Sequence, residues 1–146
     1  MSRAPRLVVL FFWSFWLSVV TASNVTNALR AAHLLPTSFA FASSNFELIE
    51  AATAIYHTPR AVVWILFLGV IAWEAAAAGL FWRALARARA GGDDARAPAL
   101  AFAAALGLFG AFMVADELLI NYAIQATHMR AFVALGVSWL VTRAPR

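Results

Sequence analysis

Residues 61–85 read AVVWILFLGVIAWEAAAAGLFWRAL, from Ala61 to Leu85. Between Ala61 and Trp82 the only ionisable side chain is Glu74. A helix rises about 1.5 Å per residue, so a run of this length covers a hydrocarbon core of about 30 Å. A soluble helix of the same length would carry a charged face, and this one has none. The stretch is therefore a membrane span.

Three further apolar blocks lie outside it. The first runs from Leu7 to about Ala28 and is rich in Phe and Trp, including Phe11, Phe12, Trp13, Phe15 and Trp16. Another starts at Pro98, a residue suited to the first turn of a helix, and continues to about Ile120. The last ends at Thr142, before Arg143. The apolar run after Arg130 is too short to cross by itself, so its helix must begin near Ala123 and take Gln125, His128 and Arg130 with it. One helix running from Pro98 past Gln125, with only a half-span behind it, is the alternative. The expected fold is an all-α membrane protein: a single domain over 1–146, built as a four-helix transmembrane bundle with spans at about 7–28, 61–85, 98–120 and 123–142. Residues 29–60 form the external segment and 86–97 the cytoplasmic link.

The whole composition agrees. Of the 146 residues 64% are hydrophobic and 12% charged, and the mean hydropathy is +0.79, which excludes both an ordinary soluble domain and a disordered chain. The absence of cysteine excludes disulfide scaffolds, thiol redox relays, iron–sulfur clusters and cysteine-bound zinc. Every basic residue is arginine, for a net charge of +4, and these residues flank the apolar blocks instead of forming one face, so no nucleic-acid partner is expected. Arg3, Arg6, Arg83, Arg87, Arg89, Arg96, Arg143 and Arg146 outnumber Arg30, Arg60 and Arg130, which by the positive-inside rule puts both termini in the cytoplasm. Reading the first block as a signal peptide cut after Val20-Thr21-Ala22 would leave three spans; its length and aromatic content favour a span.

In the external segment Ser44 and Glu47 have capping-box spacing, and Phe46, Ile49, Thr53 and Tyr56 recur at helical intervals before Thr58-Pro59. This is the pattern of an amphipathic helix on the outer membrane face, more simply a lid on the bundle than a docking element. Asn24-Val25-Thr26 matches a glycosylation sequon but sits at a membrane boundary, where that reading is discounted.

Glu74 falls near the centre of its span, where an acidic side chain costs about 2.5–3.5 kcal/mol on an insertion scale. Either a proton or a partner must offset that cost. Counting depth from the cytoplasmic side nominates Arg130 and Ser18 as partners, and a proton-coupled carboxylate is the functional alternative. A second polar group, Asp116, Glu117, Asn121, Gln125 and His128, stands at the outer mouth; the last four share a face if the helix is continuous there. His33, His57 and His128 all fall on or just under the external side and are the residues to weigh for a metal, but none has a recognised ligand spacing, and no metal is expected. Gly69, Ala72, Ala76 and Gly79 line one face of the second span, and Ala103, Gly107 and Ala111 one face of the third. Small residues at these intervals are expected to let helices approach closely in lipid. Trp64, Trp82 and Trp139 suit an interfacial belt, whereas Trp73 lies too deep for it and leaves a bound lipid, quinone or pigment open. No cofactor is otherwise expected.

The Asn24 and Asn27 region, Trp73-Glu74, the arginine-rich link and Glu117 together resemble a bacterial family of predicted small integral membrane proteins, a domain of unknown function with four spans and a long first external segment. The sequence departs from that pattern at Leu118-Leu119-Ile120-Asn121-Tyr122, where the family has a tryptophan-rich stretch. The resemblance implies a fold and no activity. The expected role is that of a small accessory or structural subunit of an energy-transducing complex in a bacterial inner membrane, with lipids and other integral subunits as partners. The alternatives are a proton-linked transporter using Glu74 and a membrane enzyme with a metal at the external histidines.

Overall fold

The structure is a computed structural model that describes residues 4–91 and 95–143. It contains five α-helices: α1 (Ala4–Ala31), α2 (Asn45–Thr53), α3 (Arg60–Arg89), α4 (Arg96–Leu118) and α5 (Tyr122–Arg143), with a 3-10 turn at Ala54–Tyr56 following α2. No strand occurs among the described residues. The expected link at 86–97 falls partly on 92–94, outside the described residues, as do Arg3 and Arg146 at the chain ends.

Helices α1, α3 and α4 are long and apolar enough to cross a membrane. Helix α5 occupies the expected 123–142 and is 22 residues long, but Gln125, His128 and Arg130 dilute its first half, and it does not join the three on composition. The continuous-helix alternative is excluded. Helix α4 stops at Leu118, and the Asn121 amide bonds back to the Asp116 carbonyl at 2.8 Å while Ile120 adopts φ 53°. This is the six-to-one closure of a helix C-terminus, made here without the glycine that usually takes the left-handed position. A β-branched residue there is under strain.

His33 and His57 have the same local role. His33 (φ 61°) ends α1, with the Leu34 amide bonded to Leu29 carbonyl at 2.8 Å, and His57 (φ 51°) ends the 3-10 turn. Both are exposed terminators of helices. Gly91 (φ 81°) follows α3, the position at which a residue without Cβ is favoured.

The four long helices form a ring: α3 packs on α1 and α4, α5 packs on α4, and α5 reaches back to α1. Leu10, Trp13 and Leu17 of α1 meet Ala77, Phe81, Ala84 and Leu85 of α3 and Ala101, Phe102, Ala105 and Phe109 of α4, with Leu135 from α5. Phe81 and Phe102 stack edge to face at 4.9 Å in the middle of this core, inside the favourable range for aromatic pairs. A second core lies at the other end, where Phe46 of α2 presses on Val63 and Phe67 of α3.

The small-residue stripes are exposed for the most part, with only Gly107 lying against another helix, at the Trp73 ring. Gly69, Ala72, Ala76 and Gly79 are exposed, as are Ala103, Gly107 and Ala111, and a Cβ on Gly69 or Gly79 would meet nothing within 4 Å. The small residues buried in the core are instead Ala77, Ala78, Ala84, Ala88, Ala101 and Ala105. Ala72 and Ala76 each lie two residues from Glu74, about 200° around the helix, so once Glu74 faces inward the stripe must face out.

Candidate functional site

The site is a polar seam that starts inside the bundle and leads to the external segment. Glu74 is 4% exposed, and its two carboxyl oxygens lie 3.0 and 2.8 Å from Nδ2 of Asn24, itself fully buried on α1. Asn24 Oδ1 accepts the Ser43 hydroxyl at 2.6 Å and the Asn45 side-chain amide at 2.8 Å. Both lone pairs of the Asn24 oxygen are thus taken, and because the two Glu74 oxygens lie side by side before one nitrogen, a single N–H is shared between them.

One turn further along α1, Asn27 is also fully buried. Its Oδ1 accepts the backbone amide of Phe46 at 2.8 Å, and its Nδ2 donates to Glu47 at 2.9 Å. Arg30, another turn on, donates to the Ser43 carbonyl at 2.8 Å and lies 3.6 Å from Glu47. The expected capping box does not form: Ser44 makes no side-chain cap bond, and Glu47 turns toward Asn27 and Arg30. Helix α2 is capped from α1 instead, because Asn27 satisfies one of the amide groups that a first turn leaves without an internal partner. Of the expected stripe, Phe46 and Thr53 are buried and Ile49 is half-buried, while Tyr56 is exposed and donates its hydroxyl to the Leu118 carbonyl at 2.6 Å. Helix α2 is thus a lid tied down by polar bonds at its start and by Phe46 beneath.

The nominated partners of Glu74 lie elsewhere. Ser18 donates to the Ser14 carbonyl and accepts the Trp82 indole N–H at 3.0 Å, two turns along α3 from Glu74. Arg130 is exposed on α5, which stands diagonally across the ring from α3. The depth count assumes that the two helix ends are level, but with Asn24 opposite Glu74 and Ser18 opposite Trp82 the start of α1 extends beyond the end of α3. An Asn-x-x-Asn pair at i, i+3 inside a span was the signal for the real partner, since buried amides in lipid must find bonds. Asn24 is also too enclosed to act as a glycosylation acceptor in this fold.

The outer cluster splits into two pairs of interactions across the α4–α5 turn. His128 Nδ1 lies 2.6 Å from Asp116 Oδ2, with the imidazole 4.8 Å from the Phe112 ring. Gln125 and Tyr122 reach the Glu117 carboxylate at 3.3 and 3.5 Å. These contacts form across a turn, not along the continuous helix on which the shared face was counted. Among the described residues no three His, Asp or Glu side chains converge in a way that would hold a metal.

Trp73, the indole judged too deep for a belt, donates to the Ala104 carbonyl at 3.0 Å and lies over Gly107, where a Cβ would come within 3.3 Å of its ring. It is a strut between α3 and α4.

Comparison with known protein families, curated proteins and solved structures finds no match. The polar seam and the outward faces of the helices therefore carry the functional reading.

Proposed function

We propose that the chain is a four-span accessory subunit of a bacterial inner-membrane complex, holding neighbouring membrane helices against the outward small-residue faces of α3 and α4. One observation carries this reading: Gly69, Ala72, Ala76 and Gly79 face away from the core, with open space beside both glycines. Ala103, Gly107 and Ala111 of α4 are exposed too, and Trp73 lies over Gly107 in the groove between the two helices. In lipid there is no hydrophobic force to join helices, and association depends on small residues that let backbones approach. Within the fold only Gly107 is used, beneath the Trp73 ring, and Gly69 and Gly79 face open space.

Helix α5 supplies the fourth crossing in this reading. Its 22 residues span about 33 Å, and its polar first half is shielded where His128 bonds to Asp116. Four crossings agree with the arginine distribution that puts both termini inside.

The transporter reading draws on the bonded chain from Glu74 through Asn24 to the external segment. In the other direction the core is Ala77, Ala78, Phe81, Leu85 and Leu10, and the Ser14, Ser18 and Thr21 hydroxyls there donate to carbonyls of their own helix, so that among the described residues no hydrogen bond continues the chain from Glu74. Extraction into native-lipid discs tests the proposal. The chain should migrate with other integral subunits at fixed stoichiometry, and Gly69→Leu/Gly79→Leu should release it while its own helical content is retained. A chain that migrates alone, or an assembly indifferent to both substitutions, overturns the reading.

A further inference from the structure

A cleft of about 350 Å³ opens where α3 joins α4, lined by Leu80, Arg83, Arg87, Arg96, Ala97 and Leu100. Leu80, Arg83 and Arg87 fall at i, i+3 and i+7, on one face of α3, and Arg96 and Leu100 fall at i and i+4 on the first turns of α4. We infer that this cleft binds the phosphate of an anionic phospholipid, held between the arginines with its acyl chains running along Leu80 and Leu100.

The charge is suited to that ligand. Between residues 83 and 96 the sequence has Arg83, Arg87, Arg89 and Arg96 against Asp93 and Asp94, so the junction remains positive. Arg83 is exposed and has no hydrogen bond or ion pair with the described residues. A guanidinium presents five donors in a planar fork that matches phosphate oxygens, so arginines with other contacts retain donors for an anion. Ala95 gives α4 no side-chain cap, and the first-turn amides of a helix have no internal acceptor, which adds a positive helix end to the same cleft.

Position selects a lipid over a soluble anion. Counting from Ala61, the start of the apolar run, Arg83 is about 33 Å along the span, at headgroup depth, and the leucines lie on the hydrocarbon side of it. The neighbouring Trp82 bonds through its indole to Ser18, an anchoring typical of the interface. Basic pockets between membrane helices are a recurrent form of headgroup recognition.

Native mass spectrometry of the full chain released from detergent, with dioctanoyl phosphatidylglycerol, dioctanoyl phosphatidylcholine or inorganic phosphate added, tests the inference. The phosphatidylglycerol adduct should persist and the phosphatidylcholine adduct should not. Arg83→Gln alone should weaken retention, and Arg83→Gln/Arg87→Gln should reduce it by about tenfold or more, as expected when charge-assisted bidentate bonds are lost. Arg60→Gln/Arg143→Gln, which removes the same charge elsewhere, should bind as the parent does. Equal retention of both lipids, equal loss in the control variant, or displacement of the lipid by equimolar inorganic phosphate would overturn the assignment.

Discussion

Replacing Asn24 by leucine is the sharpest test of the polar seam, because leucine has nearly the same volume and leaves no cavity. The change removes both bonds to the Glu74 carboxyl and leaves that group, 4% exposed, with no donor. A side-chain bond in a membrane protein averages about 0.6 kcal/mol, because the unfolded chain in lipid also finds partners. Bonds to a charged group are worth about 1.5–3 kcal/mol each. Two bonds therefore bracket the loss between about 1 and 6 kcal/mol, and about 3 kcal/mol is expected. Glu74→Leu behaves differently: it leaves Asn24 with two unused donors, a cost of about 1–3 kcal/mol, but also removes an intramembrane acid that costs about 2.5–3.5 kcal/mol to insert. Its net effect should be near zero. The double variant should resemble Glu74→Leu, giving a coupling of about 3 kcal/mol in the cycle. Reversible unfolding in mixed micelles, followed by far-ultraviolet circular dichroism, measures all four corners. If Glu74→Leu costs as much as Asn24→Leu, or the two effects simply add, Asn24 is not what accommodates the acid and the argument fails.

Three further outcomes follow from the same geometry. His128→Ala leaves buried Asp116 without its 2.6 Å partner and should cost about 1–3 kcal/mol, with faster hydrogen exchange over 122–130; His128→Gln, which keeps a donor, should recover part of the loss. Asn27→Ala removes both the amide cap on Phe46 and the bond to Glu47, so protease cleavage within 32–44 should rise by about tenfold, for a loss of about 1.4 kcal/mol, while α1, α3 and α4 remain helical. Gly107→Ala places a methyl 3.3 Å from the Trp73 ring and should shift the Trp73 indole resonance, whereas Gly79→Ala meets nothing within 4 Å and should leave it unchanged.

What could be read from the chain follows from the solvent it implies. The three helices that qualify as spans were legible because an unbroken apolar run needs no partner to be recognised. Which face of each turns inward was not legible. In water the apolar face is the inner one, but in lipid both faces are apolar, and glycine or alanine at helical spacing suits either side. The Gly69 and Ala103 stripes could be assigned to neither side for that reason, and for the Gly69 stripe the direction of Glu74 settles it. The lid was visible in the spacing of Phe46, Ile49 and Thr53, but its cap was not, since Asn27 belongs to another helix about twenty residues away. The break at Ile120 has neither glycine nor proline to mark it, and it was legible only from length, because the last apolar run needs a helix starting near Ala123 to reach across.

The bonding around Asn24 bears on function as well as stability. A group that relays protons must exchange partners, and so needs a nearby water or a donor site left open. The acceptor side of Asn24 is closed, since both lone pairs of its oxygen are taken by Ser43 and Asn45, and one of its amide hydrogens is shared between the two Glu74 oxygens. Freeing either carboxyl oxygen would require moving α1 against α3, and that pair is held a few turns away by Leu10, Trp13 and Leu17 against Ala77, Ala78, Phe81 and Leu85. This network fixes register, because sliding α1 by one turn would separate Asn24 from Ser43 and Asn45 and Asn27 from Phe46 and Glu47, even where it brought Asn27 toward Glu74. The acid in the bundle thus acts with the two asparagines as a single alignment device, which sets α1 against α3, positions the lid, and turns the glycine stripe toward the outside.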